Sequence, residues 1–271
     1  MAGDRAVNPS WALTDLEFVL LCEEHGCTEL PVPFTFTSRT WLAADYRAER
    51  ARTLRELHAR DDAELAVLAD ALTRPDVTVV AQAWEEQEPE KPQGWTRVHA
   101  VRQRARGFVV TQRPGETVWH SGGFDVFTCD PHALAETVLE LLPAADAGRM
   151  RQIALIDPET QPDARPFVPL ISDDDEPEDD EAYRSETYLN TPATATGLVR
   201  VFQGRSMFGP RGRVDMGLRW RDLPGDGRYV TSLSAEAPVA TGMGTKGMVE
   251  WAQEQISEVL LRLDRNLEHE E

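Results

Sequence analysis

Three glycines, Gly242, Gly244 and Gly247, fall at the spacing G-x-G-x-x-G just ahead of a helical period. That pattern lets a loop and a helix N-terminus wrap a pyrophosphate, and Lys246 inside it could add a charge. A dinucleotide fold also needs a further parallel strand and an acid about 20 residues on, whereas here only a short stretch follows the helix. The glycines therefore read as a flexible connection into the last helix, with a nucleotide-binding enzyme as the weaker alternative. Cys22, His25 and Cys27 lie close together, but C-x4-C without a second ligand pair is a poor zinc pattern, and Cys22 reads as a buried core residue. Cys129 is the only other cysteine, so a disulfide framework is not expected and the thiols read as reduced. No G-x-S-x-G elbow, Walker loop or His-Glu-x-x-His helix occurs. His58, His99, His120 and His132 are scattered, and acids are too numerous for any pair to stand out. The expectation is a protein that is not an enzyme, with no catalytic residue, no metal and no cofactor.

Two surface features say more. Arg102, Arg104 and Arg106 occupy every second position, with Arg97 and Arg113 nearby, so a strand running through them would carry a basic stripe. Such a stripe serves as a solvated face, or as a dock for a polar partner or for the protein's own acidic segment. The second feature is apolar: Met207, Phe208, Met216, Leu218, Trp220, Met243, Met248 and Trp251 crowd the C-terminal half. Methionine adapts to irregular partners, although core packing also draws large apolar residues. Met216, Leu218, Trp220, Met243, Met248 and Trp251 are the candidates for a partner-binding surface.

The elements that must hold these residues can be read from period and punctuation. Thr14 and Glu17 form a capping box for a helix to about His25, stopped by Gly26. Leu30–Phe36, with Pro31 and Pro33, reads as an edge strand. Helices follow from Ser38 or Thr40 and over Asp61–Thr73. Strands are expected at Val77–Trp84, Trp95–Arg102, Arg106–Gln112, Thr117–His120 and Phe124–Cys129, then a helix from Asp130-Pro131 to about Leu142. The second half repeats this ending: an extended piece at Arg151–Ile156, strands near Gly197–Phe202, Val214–Arg221 and Arg228–Leu233, and a helix over Thr245–Leu267. The fold class is α+β: two quasi-symmetric halves, 1–146 and 147–271, with largely antiparallel sheet flanked by helices, expected to close into one compact unit.

Composition limits the partners. With 28 Lys+Arg against 47 Asp+Glu, the formal charge of −19 repels phosphate backbones, so no nucleic-acid partner is expected. Eight acids fall within residues 172–182, an acidic linker whose order stays open. No apolar run approaches the roughly 20 residues that span a bilayer and no secretory signal opens the chain, so a cytoplasmic protein without a membrane role is expected. Self-association stays open.

The opening helix running into Gly26-Cys-Thr-Glu-Leu-Pro-Val-Pro-Phe34, then Leu72-Thr-Arg-Pro-Asp-Val77, Leu141-Leu-Pro143, Gly204 to Gly212 and Gly225-Asp-Gly-Arg-Tyr229, in that order, resembles the EspG family. These are cytosolic specificity chaperones of type VII (ESX) secretion in actinobacteria. The resemblance implies two quasi-symmetric halves and no enzymatic activity. It also implies a PE-PPE heterodimer as partner, gripped at the hydrophobic tip of the PPE protein and kept soluble for secretion. The acidic linker and the Gly242–Gly247 loop depart from the family's pattern. An acidic inhibitor or immunity-type protein for a basic partner is the alternative reading.

Overall fold

The computed structural model describes residues 10–156, 181–204 and 213–268. A short strand β1 (Trp11–Leu13) leads into α1 (Asp15–Glu24), whose start is fixed as the sequence requires: the Thr14 hydroxyl accepts from the Glu17 amide, and the Glu17 carboxylate accepts from the Thr14 amide. Helices α2 (Ala43–Ala59) and α3 (Ala63–Thr73) follow, then strands β2 (Val77–Trp84), β3 (Thr96–Gln103), β4 (Arg106–Pro114) and β5 (Ser121–Cys129), and α4 (Leu134–Leu139). The second half contains β6 (Gln152–Ala154), α5 (Glu181–Asn190), β7 (Ala195–Gln203), β8 (Asp215–Asp222), β9 (Arg228–Ser232), β10 (Val239–Gly242) and α6 (Thr245–Glu268).

All ten strands of the described residues form one antiparallel sheet in the order β1-β5-β4-β3-β2-β7-β8-β9-β10-β6. The order reads identically from the centre outward in each half. β2 and β7 meet in the middle, three strands step outward, and the first strand of each half returns to cap the edge. A helix then follows β5 and β10 alike. This is a pseudo-twofold repeat, and the antiparallel pairing of β2 with β7 is what such an axis demands.

One face of the sheet packs under α4 and α6. There Val77, Val79 and Ala81 of β2, Val199 and Val201 of β7, and Leu218 and Trp220 of β8 meet Leu134 and Val138 of α4 and Met248, Ala252, Ile256 and Val259 of α6. The α6 spacing of four, four and three puts those residues on one helical stripe. The opposite face is covered at one end by α1 and α3, around Phe18, Leu68, Phe108 and Phe124. At the other end α5 packs beside β6, with Tyr188 against Ile153 and Tyr229.

Several expectations need correction. Leu30–Phe36 is not a strand, because Pro31 and Pro33 withhold ladder donors; it lies over the face of β3 and β4, where the Val32 carbonyl accepts from His99 Nδ1 at 2.7 Å and Thr35 bonds with Gln112. Thr117–His120 is the turn between β4 and β5, held by the Thr117 hydroxyl. The helix expected from Asp130 begins only at Leu134, since Asp130 instead caps a turn through the His132 amide. Strands β1 and β10 and helix α5 are additions: two are three or four residues long, too short to show a period.

Candidate functional site

The six apolar candidates sit on the α6 side of the sheet, as register dictates. Met216, Leu218 and Trp220 of β8 pair with Val201, Val199 and Gly197 of β7, whose valines are core residues facing α6. Leu218, Trp220 and Met248 are buried, at 5%, 0% and 0% exposure, whereas Met216, Met243 and Trp251 are half-buried. The indole of Trp220 lies over Gly197, where a Cβ would come within 2.6 Å of the ring. Arg228, also fully buried, stacks 4.1 Å above the same indole. Its guanidinium forms a two-point pair with Asp222 at 2.7 and 2.8 Å, donates to the Pro143 carbonyl at 2.7 Å, and approaches Met248 Sδ at 3.5 Å. These contacts tie the β8–β9 hairpin to α6, so Trp220 and Met248 serve the fold.

The opposite face of the same strands differs. Thr78, Val80, Gln82 and Trp84 of β2 lie beside Phe202, Arg200, Leu198 and Thr196 of β7, then Asp215, Gly217, Arg219 and Arg221 of β8. Between the α1–α3 cover and α5, Leu198, Arg200, Phe202 and Gln82 are half-buried and Arg219 is exposed. Leu233, 46% exposed, leans over Gly217, whose missing Cβ leaves room for it. Arg200 stacks 4.5 Å over the Phe202 ring and pairs with Asp215. At the far end Trp84 stacks on Trp95 at 4.7 Å, with Arg97 4.6 Å over Trp95. The result is a strip about 20 Å long in which Arg200 lies between Leu198 and Phe202 on β7, with Gln82 and Arg219 on either side of Leu198.

This strip is rigidly framed. Arg221 holds Glu86 at 3.0 and 2.9 Å and donates to the Tyr188 and Thr191 carbonyls at 2.8 and 2.7 Å. Glu86 also accepts from the Ala193 amide at 2.6 Å. Partial burial raises the Glu86 pKa, but Arg221 and that amide outweigh it, and the carboxyl ends below its ordinary value. On the other border the buried Arg97 donates to the Val118 carbonyl at 2.9 Å.

The remaining candidates are dispersed. Arg102, Arg104 and Arg106 do not share a strand face: β3 ends at Gln103, Arg104 turns with φ +55°, and Arg106 opens β4 and pairs with Glu64 at 3.1 Å. Whether the acidic segment docks there is a matter outside the described residues, as are Met207, Phe208 and most of 172–182. The glycine loop is filled by its own chain. Thr245 N donates to the Ala145 carbonyl at 2.9 Å, and a Cβ on Gly242 or Gly244 would meet backbone atoms of residues 145–150 within 2.8 Å. Those glycines let two backbones touch, and the cradle an anion would need is occupied. Among the described residues no group of three or more His, Cys, Asp and Glu is placed to hold a metal ion, and no helix is long and apolar enough to cross a membrane.

The model of the EspG family matches residues 14–241. The chain belongs to the EspG family. Its fold agrees with that of the Mycobacterium tuberculosis type VII secretion system chaperone EspG5, solved in complex with a PE25-PPE41 dimer. The TM-score is 0.50 at 15% identity, covering 92% of this chain and 94% of that one. No curated protein matches the sequence. Within this EspG chain the stretches that carried the resemblance have structural work to do. Gly225, at φ +71°, turns the β8–β9 hairpin so that Asp222 faces Arg228. Tyr229 donates to Asp226 at 2.7 Å and packs its ring where Gly148 leaves space. Gly26, at φ +88°, reverses the chain after α1.

Proposed function

We propose that this protein is a non-enzymatic cytoplasmic chaperone that binds a PE-PPE-type heterodimer at the hydrophobic tip of the PPE subunit and keeps it soluble for type VII secretion. Membership of the EspG family carries this reading. A helical substrate with an apolar tip aggregates unless the tip is covered, and a strongly acidic carrier keeps the complex dispersed. The surface that suits such a tip is the strip on the open sheet face, where Leu198, Phe202 and Leu233 offer apolar contact, Arg200 lies between the first two, and Gln82 and Arg219 flank Leu198. Apolar side chains interleaved with arginine suit a protein contact, which needs no reactive group. The half-buried Met216, Met243 and Trp251 lie on the α6 side and would contribute only through an adjacent contact.

The test is co-expression with PE-PPE pairs from the same genome, followed by affinity capture at low and high salt. The proposal expects a cognate pair to co-purify and to survive high salt, because apolar capture is weakly screened. A complex that forms only at low ionic strength would favour the acidic-inhibitor reading.

A further inference from the structure

Helix α1 ends in a chain reversal that brings two cysteines together. The Cys27 amide donates to the Cys22 carbonyl at 2.9 Å and the Gly26 amide to the Glu23 carbonyl at 3.1 Å. With Gly26 at φ +88°, this is the Schellman arrangement, in which the residues at the two ends of the longer hydrogen bond touch through their side chains. Hydrophobic residues usually occupy those two positions. Here both positions are thiols, Cys22 and Cys27. The hydrogen bond across them also limits their Cα separation to under about 7 Å, within disulfide reach.

The two thiols are unequal. Cys22 is 2% exposed, against Phe18 and Phe34 in the core, while Cys27 is half-buried at the rim of the same cluster. Cys27 Sγ lies 3.6 Å from the Thr73 hydroxyl at the end of α3. The hydrogen bond from Cys22, helped by Thr73 and His25, lowers the Cys27 thiol to about 6. The same bond to Cys27, followed by burial, raises Cys22 well above the usual thiol range. An accessible thiolate beside a protected thiol is the layout of an attacking and a resolving cysteine.

We propose that Cys22 and Cys27 are a redox-modification site whose substrate is a small-molecule disulfide such as oxidised glutathione. The Cys27 thiolate attacks one sulfur, forming a mixed disulfide and expelling one thiolate. Cys22 then attacks the Cys27 sulfur, giving up its proton to the second departing thiolate. The products are a Cys22–Cys27 disulfide and two reduced small thiols, so the protein loses two electrons and the small disulfide gains them. The bridge would lock the exit of α1 at its junction with α3.

The test exposes the full-length protein to oxidised glutathione near neutral pH, quenches with an alkylating agent, and maps peptides by mass spectrometry. Cys22 and Cys27 share the tryptic peptide from Ala6 to Arg39, and Cys129 lies in another. Burial pushes Cys129 up to about 11, which makes it an internal control. Weighing thiolate fraction against nucleophilicity, Cys27 should react on the order of a hundredfold faster than Cys129. The wild-type peptide should lose two hydrogens and resist alkylation. Cys22→Ala should stop at a glutathione adduct on Cys27, and Cys27→Ser should give neither product. Both variants are first checked for native helix content. A wild type that stays alkylatable at both positions, an adduct on Cys27 that never resolves, or a Cys129 that reacts as fast would each overturn the proposal.

Discussion

Replacing Arg228 with alanine tests whether the β8–β9 hairpin is held by a buried charge pair. The guanidinium is fully buried, and its loss strands the Asp222 carboxylate at 8% exposure, orphans the Pro143 carbonyl and uncovers the Trp220 indole. Breaking one side of a buried pair costs about 3–5 kcal/mol, because the remaining charge has neither partner nor water. For a chain of this size that corresponds to a drop in Tm of about 6–20 °C. Urea denaturation should show a lower midpoint at unchanged slope. Lysine keeps the charge but loses the two-point geometry, so Arg228→Lys should fall between wild type and alanine. Removing both charges, as Arg228→Met with Asp222→Leu, should be less damaging than Arg228→Ala alone, since no buried charge is left uncompensated. A loss below about 1 kcal/mol for Arg228→Ala, or a double variant as unstable as the two single losses combined, would mean that the hairpin does not depend on the buried pair.

Two further outcomes follow from burial. His99 is held neutral by burial, its pKa lowered to about 4, so below pH 6.5 the unfolded chain binds the proton that the folded chain refuses. Stability should therefore fall by about 2 kcal/mol between pH 7 and 5 and stop falling on this account near pH 4, and His99→Gln should remove that slope in pH-dependent denaturation. Met248→Glu places a charge at a site with 0% exposure beneath α6, so circular dichroism and solubility should report a misfolded protein; a well-folded variant would mean that α6 lifts away from the sheet.

The fold was legible where period and punctuation were strong. Alternation in Val77–Trp84 and Arg106–Gln112, and the capping box at Thr14, place elements that the structure retains with small shifts. The repeat of strands and then a helix in each half foreshadowed the mirrored strand order. The extended Leu30–Phe36 misled because proline favours β-region backbone whether or not a partner strand is present. The site was less legible. Leu218 and Trp220 attract attention because they are large and apolar, which is also why the core takes them. Alternation shows that β7 and β8 have two faces, but only the packing of α6 shows that Val199 and Val201 are covered while Leu198 and Phe202 stay half-buried on the open face. The glycine loop likewise matches a phosphate-binding spacing, and nothing in the sequence reveals that residues 145–150 fill it.

Capture of a PE-PPE dimer on the open sheet face is decided by the affinity of purified protein for a co-purifying PE-PPE dimer, comparing wild type with Leu198→Asp/Phe202→Asp and with Trp41→Ser/Trp119→Ser. The second pair alters two exposed tryptophans away from that strip, 98% and 66% exposed. The sheet-face variant should stay folded and lose at least about 2 kcal/mol of binding, roughly thirtyfold in Kd, while the tryptophan variant binds as wild type does. Full binding by the sheet-face variant, or loss confined to the tryptophan variant, would contradict the account.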